Sequence, residues 1–394
     1  MVARCGMESR GTGTPARRGH GILDASRQYW AKGVTQMNRY RVALIPGDGI
    51  GKEVVPAAVR VLNAAAELHG GLQFDYQMFP WSCEYYLEHG EMMPKDALQI
   101  LSDFELIFLG ACGYPSVPDH VSLWGMLIPI RRGFQQYINL RPVKTLRGVP
   151  SPLKSEKAGE IDFVVVRENS EGEYSSMGGR IHEGTPYETA VQVSYFSRMA
   201  VERVLRYAFD LAAKSPRKRL MAATKSNGII HTMPFWDQVH REIAKEYPDV
   251  STRVMHVDAL AAYFVLQPHE LDVVVASNLF GDILTDLGAA IMGSIGMAPA
   301  ANINPERKYP SMFEPVHGSA PDIAGRGIAN PIGQIWTAKM MLDFIGEQEL
   351  GAKLLDAIEA TLVSGRVTPD LGGRATTEEV ADAVIHHLLG RERA

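Results

Sequence analysis

Asp282 and Asp286 stand four residues apart in the run Asn278-Leu279-Phe280-Gly281-Asp282-Ile283-Leu284-Thr285-Asp286, so a helix through it sets both carboxylates on one face. Two such acids repel unless a cation lies between them, and Mg²⁺ or Mn²⁺ takes oxygen ligands of this kind. The same spacing also suits an ordinary helix start, where the dipole favours acids. Asp258 follows the run Val254–Val257, at the end of a strand where α/β sheets present functional groups, and where a helix N-cap is equally at home. Lys225, in Thr224-Lys225-Ser226-Asn227-Gly228, ends another apolar run. Near a metal and other cations its pKa would fall into the range useful for proton transfer; elsewhere it is a surface lysine. Arg131 ends an apolar run, Arg141 lies in Asn139-Leu140-Arg141-Pro142, and Arg167 follows Phe163–Val166. Separately these arginines are surface ion-pair partners. Brought together, their planar forks hold carboxylates bidentately at roughly 1.5–3 kcal/mol per charge-assisted bond, which implies a dicarboxylic ligand.

Such groups need a scaffold. With 394 residues, 46% hydrophobic and 22% charged, the chain is long enough for one large α/β unit or two domains sharing a core. A formal charge of −5 with no basic block beyond the N-terminal stretch excludes a nucleic-acid partner held by phosphate neutralisation. Cys5, Cys83 and Cys112 are odd in number with no C-x-x-C spacing, which fits a reducing, cytoplasmic compartment. The longest uncharged run, Leu287 to Pro305, is broken by glycines and Pro299, so no membrane span is expected. Residues 1–37 are basic and rich in glycine and threonine, and read as a disordered or misassigned extension, with Met37 as the working start.

From Arg41 onward short apolar runs alternate with amphipathic stretches, as strands alternate with helices. Strands are expected at Arg41–Ile45, Leu106–Leu109, Phe163–Val166, Leu220–Ala223, Val254–Val257 and Val273–Ala276. Helices are expected at Lys52–His69, Ser197–Ala213, Met233–Tyr247, Ala259–Leu266, Ile283–Met292, Pro331–Ile345, Lys353–Ser364 and Thr377–Leu389. Gly172–Val193, with glycines and alternating β-branched and polar residues, reads as a hairpin arm whose open edges invite a partner subunit. Gly47-Asp48-Gly49-Ile50-Gly51 follows a strand and opens a helix, but its G-x-G-x-G spacing is not the dinucleotide fingerprint; it is a tight turn.

The order and wording of these segments resemble the β-decarboxylating dehydrogenases, the family of 3-isopropylmalate and isocitrate dehydrogenases. The resemblance rests on Ile45–Gly51, Asn139–Pro142, Val166–Asn169 with Glu171–Tyr174, Thr224–Asn227, Asn278–Asp286 and Phe313–Asp322, and covers the chain from about Met37. It implies an α/β isopropylmalate dehydrogenase-like fold, not a Rossmann fold. A large cofactor-binding domain is expected from residues 38–136 and 293–394, and a central domain with a dimerising β arm from 137–292. It implies a homodimer whose sites each borrow Lys225 and Asp258 from the neighbouring subunit. Asp258, Asp282 and Asp286 then resemble metal ligands, Arg131, Arg141 and Arg167 the substrate grip, Lys225 the proton acceptor, and Tyr174 the acid that protonates the enol after CO₂ leaves.

In this family the loop carrying His317, Gly318, Ser319, Ala320 and Asp322 holds the adenosine, with Asn330 against the adenine. An acid at Asp322 favours NAD, because a 2′-phosphate ~4 Å away would meet a repulsion of order 4 kcal/mol per charge pair at an effective dielectric of ~20. The residues before Arg131 set the substrate. Gly125 and Leu127 stand where isocitrate enzymes place a serine and an asparagine, and Trp124 where isopropylmalate enzymes place a glutamate. Pro118–Gly125 with Ile128–Arg132 resembles the tartrate and decarboxylating D-malate dehydrogenase branch, which implies a C4 hydroxy-dicarboxylate, Mn²⁺ or Mg²⁺, and K⁺. Isopropylmalate is the competing substrate, and a catalytically silent dinucleotide-binding protein the rival of another class.

Overall fold

The computed structural model describes residues 37–153 and 159–390; apart from Met37, the N-terminal stretch set apart above lies outside the described residues. Twelve strands occur among them. In chain order they are β1 (Asn38–Gly47), β2 (Leu72–Met78), β3 (Leu106–Ala111), β4 (Ile138–Lys144), β5 (Asp162–Glu168), β6 (Gly178–Ile181), β7 (Thr189–Gln192), β8 (Arg219–Thr224), β9 (Ser251–His256), β10 (Val273–Ala276), β11 (Pro299–Ile303) and β12 (Ser311–Pro315). Ten form a single sheet in the order β2-β1-β3-β12-β11-β4-β5-β10-β8-β9.

Two parallel blocks make up the flanks of this sheet: β2, β1, β3 and β12 on one side, and β5, β10, β8 and β9 on the other. Between them β11 and β4 are joined by three successive antiparallel pairings, β12·β11, β11·β4 and β4·β5. The sheet is therefore mixed, unlike a doubly wound dinucleotide fold. β4 carries Pro142, which cannot donate to a ladder. It is tolerated because β11 pairs only Ile138–Leu140, leaving Pro142 past the end of that strand.

All six expected strands are present, and the expected helices recur with ends moved by a few residues. The helices expected at Ile283–Met292 and Lys353–Ser364 each start five residues earlier, at Asn278 and Gln348; at the first, the Ser277 hydroxyl caps the helix by accepting the Phe280 N–H. The apolar face of Gly51–His69 and Leu106 and Phe108 of β3 share a core with Phe163, Phe209, Trp236 and Ile335, while Ile107 and Leu109 face a second core with Trp81 and Met126. The first of these draws residues from Val42 to Leu388. The β6·β7 hairpin stands apart, exposed at all eight positions. No helix among the described residues is long and apolar enough to cross a membrane.

His240 lies in this core on the helix Thr232–Ala244, stacked near Phe209, with Nε2 on the Thr252 hydroxyl and Nδ1 buried without a partner. Burial holds its pKa down, from 6.5 to about 4. As pH falls the unfolded chain therefore takes up this proton first. Stability present above pH 6.5 is lost progressively toward pH 4, by up to about 3 kcal/mol from this one group. Urea melts at pH 7.5 and pH 5 will show a larger drop for the wild type than for His240→Asn; equal drops would contradict the assignment.

Candidate active site

The candidate site centres on the carboxylate of Asp282, one turn into the helix Asn278–Ile291. Arg167 Nη1 donates to its Oδ1 at 2.6 Å and Arg141 Nη1 lies 3.1 Å away, while the Tyr174 hydroxyl donates to Oδ2 at 2.7 Å. Burial opposes ionisation of Asp282, but Arg167, Arg141 and the phenol outweigh it and hold the carboxyl below its usual range. Asp286 is one turn on, its Oδ1 3.9 Å from Arg141. Partial burial raises its pKa, and the neighbouring Asp282 adds to the effect against the pull of Arg141. The expectation that both acids share one helical face therefore holds, and they differ in affinity for a proton.

Local sequence explains how these groups meet. Arg167 sits at the end of β5, where Asn278 Oδ1 accepts from its Nε and Nη2 at 3.1 and 2.8 Å. Gly281 faces it, and a Cβ there would lie 2.6 Å from Arg167 Cγ, so only glycine lets the helix approach the strand this closely. Arg141, on β4, is steered by Asn139 Oδ1 at 2.7 Å and the Thr285 hydroxyl at 2.7 Å. Glu173, next to Tyr174, accepts from the Ser277 hydroxyl and the Leu279 N–H, which ties the tyrosine's loop to the helix start. Arg167 is fully buried; desolvation, reinforced by Arg141, brings its pKa down to about 10.

Arg131, on the short helix Ile128–Gly133, pairs with Glu314 of β12 at 2.6 Å, and its charge is felt by Arg167, Tyr174 and Asp282. Its Nε is buried with no hydrogen-bond partner. An orphaned guanidinium donor beside two other arginines is what an anionic ligand would satisfy. Arg131 and Arg141 are also linked through the interior: Glu314 accepts from Asn302, and Asn302 accepts from Asn139, which holds Arg141. Glu314 and Asn302 carry no signal of this role in residue order, although Glu314 lies in the segment Phe313–Asp322.

Lys225 and Asp258 meet each other, Nζ to Oδ1 at 2.9 Å, at the ends of β8 and β9. β9 is an edge strand, and the hydrogen bond from Lys225 keeps the exposed Asp258 well ionised. Among the described residues no three His, Cys, Asp or Glu side chains are placed to hold a metal ion, so a single chain does not bring Asp258 to Asp282 and Asp286. Those two acids offer hard oxygen donors at one site, a donor set suited to a divalent cation that lacks its third carboxylate.

After β12 the chain forms a loop around His317–Asp322. His317 is buried, its Nδ1 on the Gly318 carbonyl and its Nε2 without a partner; burial lowers its pKa and keeps it neutral. Ala320 adopts φ +41, and Asp322 is exposed at the rim. The glycine turn of residues 47–51 backs this loop: Ile50 N–H donates to the Ser319 carbonyl at 2.9 Å, and a Cβ on Gly49 would lie 2.0 Å from that oxygen. Glu53 takes the N–H groups of Gly325 and Gly327. Asn330 is held by Asp370, Nδ2 to Oδ2 at 2.9 Å. The turn is thus a seat for the second loop. The buried, unsatisfied His317 Nε2 is a group that a ligand in this loop would complete.

Trp124 and Leu127 lie in a π-helical turn, Leu123–Leu127, a rare form concentrated at functional sites. The turn packs where Gly125 meets Met92. Trp124 lies against the Arg132 guanidinium, 5.4 Å from ring centroid to Cζ.

A fold of two opposed parallel blocks around a mixed centre, with guanidinium groups converging on a helix-borne acid pair, is the class of scaffold that the resemblance above implies. The isocitrate/isopropylmalate dehydrogenase family model matches residues 41–384, and the chain belongs to that family. It is 60% identical over 353 residues to a probable tartrate dehydrogenase/decarboxylase of Bacillus subtilis (strain 168), covering 89% of this chain and 99% of that protein. It is 55% identical over 360 residues to D-malate dehydrogenase [decarboxylating] of Escherichia coli (strain K12), covering 90% and 99%. A crystal structure of isocitrate dehydrogenase from Methylococcus capsulatus superposes with a TM-score of 0.79 at 34% identity, covering 89% of this chain and 99% of that one.

The close approach at Gly281 gives a direct check. Gly281→Ala favours the helix locally, by up to about 1 kcal/mol. Yet its Cβ must displace Arg167, and dehydrogenase activity is expected to fall about 10- to 100-fold with the protein still folded. Unchanged kcat/KM would show that Arg167 need not sit where it does.

Proposed function

We propose that the chain is an NAD-linked, divalent-metal-dependent dehydrogenase that oxidises a C4 2-hydroxy dicarboxylate, tartrate or D-malate, and releases its β-carboxyl group as CO₂. The observation that carries this reading is the focus of Arg141, Arg167 and Tyr174 on Asp282, with the unsatisfied Arg131 Nε beside it. Arg131, Arg141 and Arg167 bind the two carboxylates. Gly125 and Leu127, in place of a serine and an asparagine, leave no host for a third carboxylate, and Trp124 reduces the room for an isopropyl group. The relatives named for tartrate and D-malate share 55–60% of their residues with this chain, which supports the C4 class.

Asp282 and Asp286, with Asp258 from a second copy, would hold Mn²⁺ or Mg²⁺. When bound, the ion supplies positive charge for an alkoxide and then an enolate oxygen, and NAD supplies the hydride acceptor. The chain's own residues move the protons. Lys225 from the second copy accepts the hydroxyl proton of the substrate. Tyr174, whose pKa is raised by burial and by its bond to Asp282, stays protonated and gives its proton to carbon after CO₂ departs. His317, Gly318, Ser319, Ala320, Asp322 and Asn330 hold the adenosine, with Asp322 on the ribose hydroxyls.

The same reading makes the active unit a homodimer in the cytoplasm. Supporting it are the edge position of Lys225 and Asp258 and the exposed apolar residues Ile181, Tyr187 and Val191 on the hairpin. It also keeps the division into a large domain (38–136 and 293–394) and a central domain (137–292), with the shared sheet passing between them.

The test is reduced-cofactor formation with L-tartrate, meso-tartrate, D-malate, 3-isopropylmalate and isocitrate, with NAD or NADP, with Mn²⁺ or Mg²⁺, and with and without K⁺. The expected result is turnover of a C4 substrate with NAD that disappears on chelation. Equal or better turnover of isopropylmalate would replace the C4 assignment, and a preference for NADP would overturn the role given to Asp322.

A further inference from the structure

Arg132 lies next to the substrate arginine Arg131 and points the other way. Its Nη2 donates to the main-chain carbonyl of Tyr174 at 2.6 Å and its Nε to that of Ser170 at 3.1 Å, while its guanidinium lies over the Trp124 ring. One side chain thus joins the π-helical turn ahead of Arg131 to both ends of the loop that carries Tyr174. The phenol itself is fixed to Asp282, and Arg167 lies against the ring's face, its Cζ 5.5 Å from the centroid. Tyr174 is therefore held at its hydroxyl, ring and backbone, by three different elements of the fold.

We infer that Arg132 is a positioning residue for Tyr174, and that Trp124 influences the reaction through Arg132 by holding its guanidinium in place. Two carbonyls about one loop apart need a planar, two-nitrogen donor, which arginine provides and lysine does not. Stacking on the indole removes rotamer freedom from the long side chain, so the fork meets both carbonyls already aimed. The indole side and the Tyr174 side of Arg132 act in series: loosening either lets the loop shift, and proton delivery to carbon is sensitive to displacements of about an ångström. Neither residue needs to touch substrate for this. The segment that distinguishes this chain from its isopropylmalate-using relatives would then also set the geometry of the catalytic acid.

The inference rests on the role given to Tyr174 above, and a double-mutant cycle separates the two. Kcat and KM are measured on the full-length protein with the C4 substrate and Mn²⁺ for Arg132→Met, Tyr174→Phe and the double variant. Arg132→Met is expected to lower kcat by about 10- to 100-fold while moving KM less than about threefold, and the double variant to be no slower than Tyr174→Phe alone. Additive losses would overturn the inference and leave the role of Tyr174 standing. Wild-type kcat in Tyr174→Phe would remove that role and the inference with it. If Arg132→Met does not fold, Arg132→Lys, which keeps the charge over Trp124 and can serve one carbonyl, is read in the same cycle. Independently of activity, hydrogen exchange across residues 170–177 should quicken in the Arg132 variant and in Trp124→Leu, with the rest of the chain unchanged; unaltered exchange in that loop contradicts the inference.

Discussion

A carboxylate held ionised beneath two largely buried guanidinium groups is the constraint around which this molecule is built. Burying Asp282 alone would raise its pKa, and burying Arg141 and Arg167 together would set two like charges against each other. Each cost is relieved only when all three meet, so the end of β5, the middle of β4 and the first turns of the helix Asn278–Ile291 have to converge within hydrogen-bond distance. Tyr174, Thr285, Asn139 and Asn278 take the remaining polar directions. The result is a patch of alternating charge with Asp286 partly exposed beside it and the buried, unsatisfied Nε of Arg131 nearby.

The sheet's mixed centre is what delivers those strands. In an all-parallel sheet functional groups collect at one edge, along the strands' carboxyl ends. Here β4 and β11 run antiparallel to their neighbours, so the start of β4 lies beside the end of β5, and Asn139 is opposite Arg167 in register. Asn302 on β11 then bridges Asn139 and Glu314, and through them Arg141 and Arg131. These arginines belong to one buried polar chain, which is why their geometry is a property of the sheet rather than of individual rotamers.

Much of this could be read from residue order. The alternating runs placed β1, β3, β5, β8, β9 and β10, and the D-x-x-x-D spacing placed Asp282 and Asp286 on a common face. β11 and β12 were not legible, for a physical reason: every position of each is buried, both carry prolines, and neither has the period of two that marks a half-buried strand, whereas β2 and β4 do alternate apolar and polar residues over runs too short and polar to stand out. Arginine convergence was legible only as a possibility, because spacing along a chain does not fix distance across a sheet. Arg132 left no trace at all, since its partners are backbone carbonyls, which every residue has. Trp124 was read as a pocket wall; its contact with Arg132 depends on a π-helical turn that composition does not announce.

Lys225 and Asp258, the pair that the proposed function assigns to the same site, meet on the edge pair β8·β9 within a single chain. The account requires that a second copy supply them to the acids and arginines of the first. Mixing inactive Lys225→Met protein with inactive Asp286→Asn protein under conditions of subunit exchange tests this most directly, because each mixed dimer would contain one intact site. The account predicts that activity returns, to about a quarter of wild type at statistical mixing of equal amounts. A mixture that forms mixed dimers and stays inactive would contradict it.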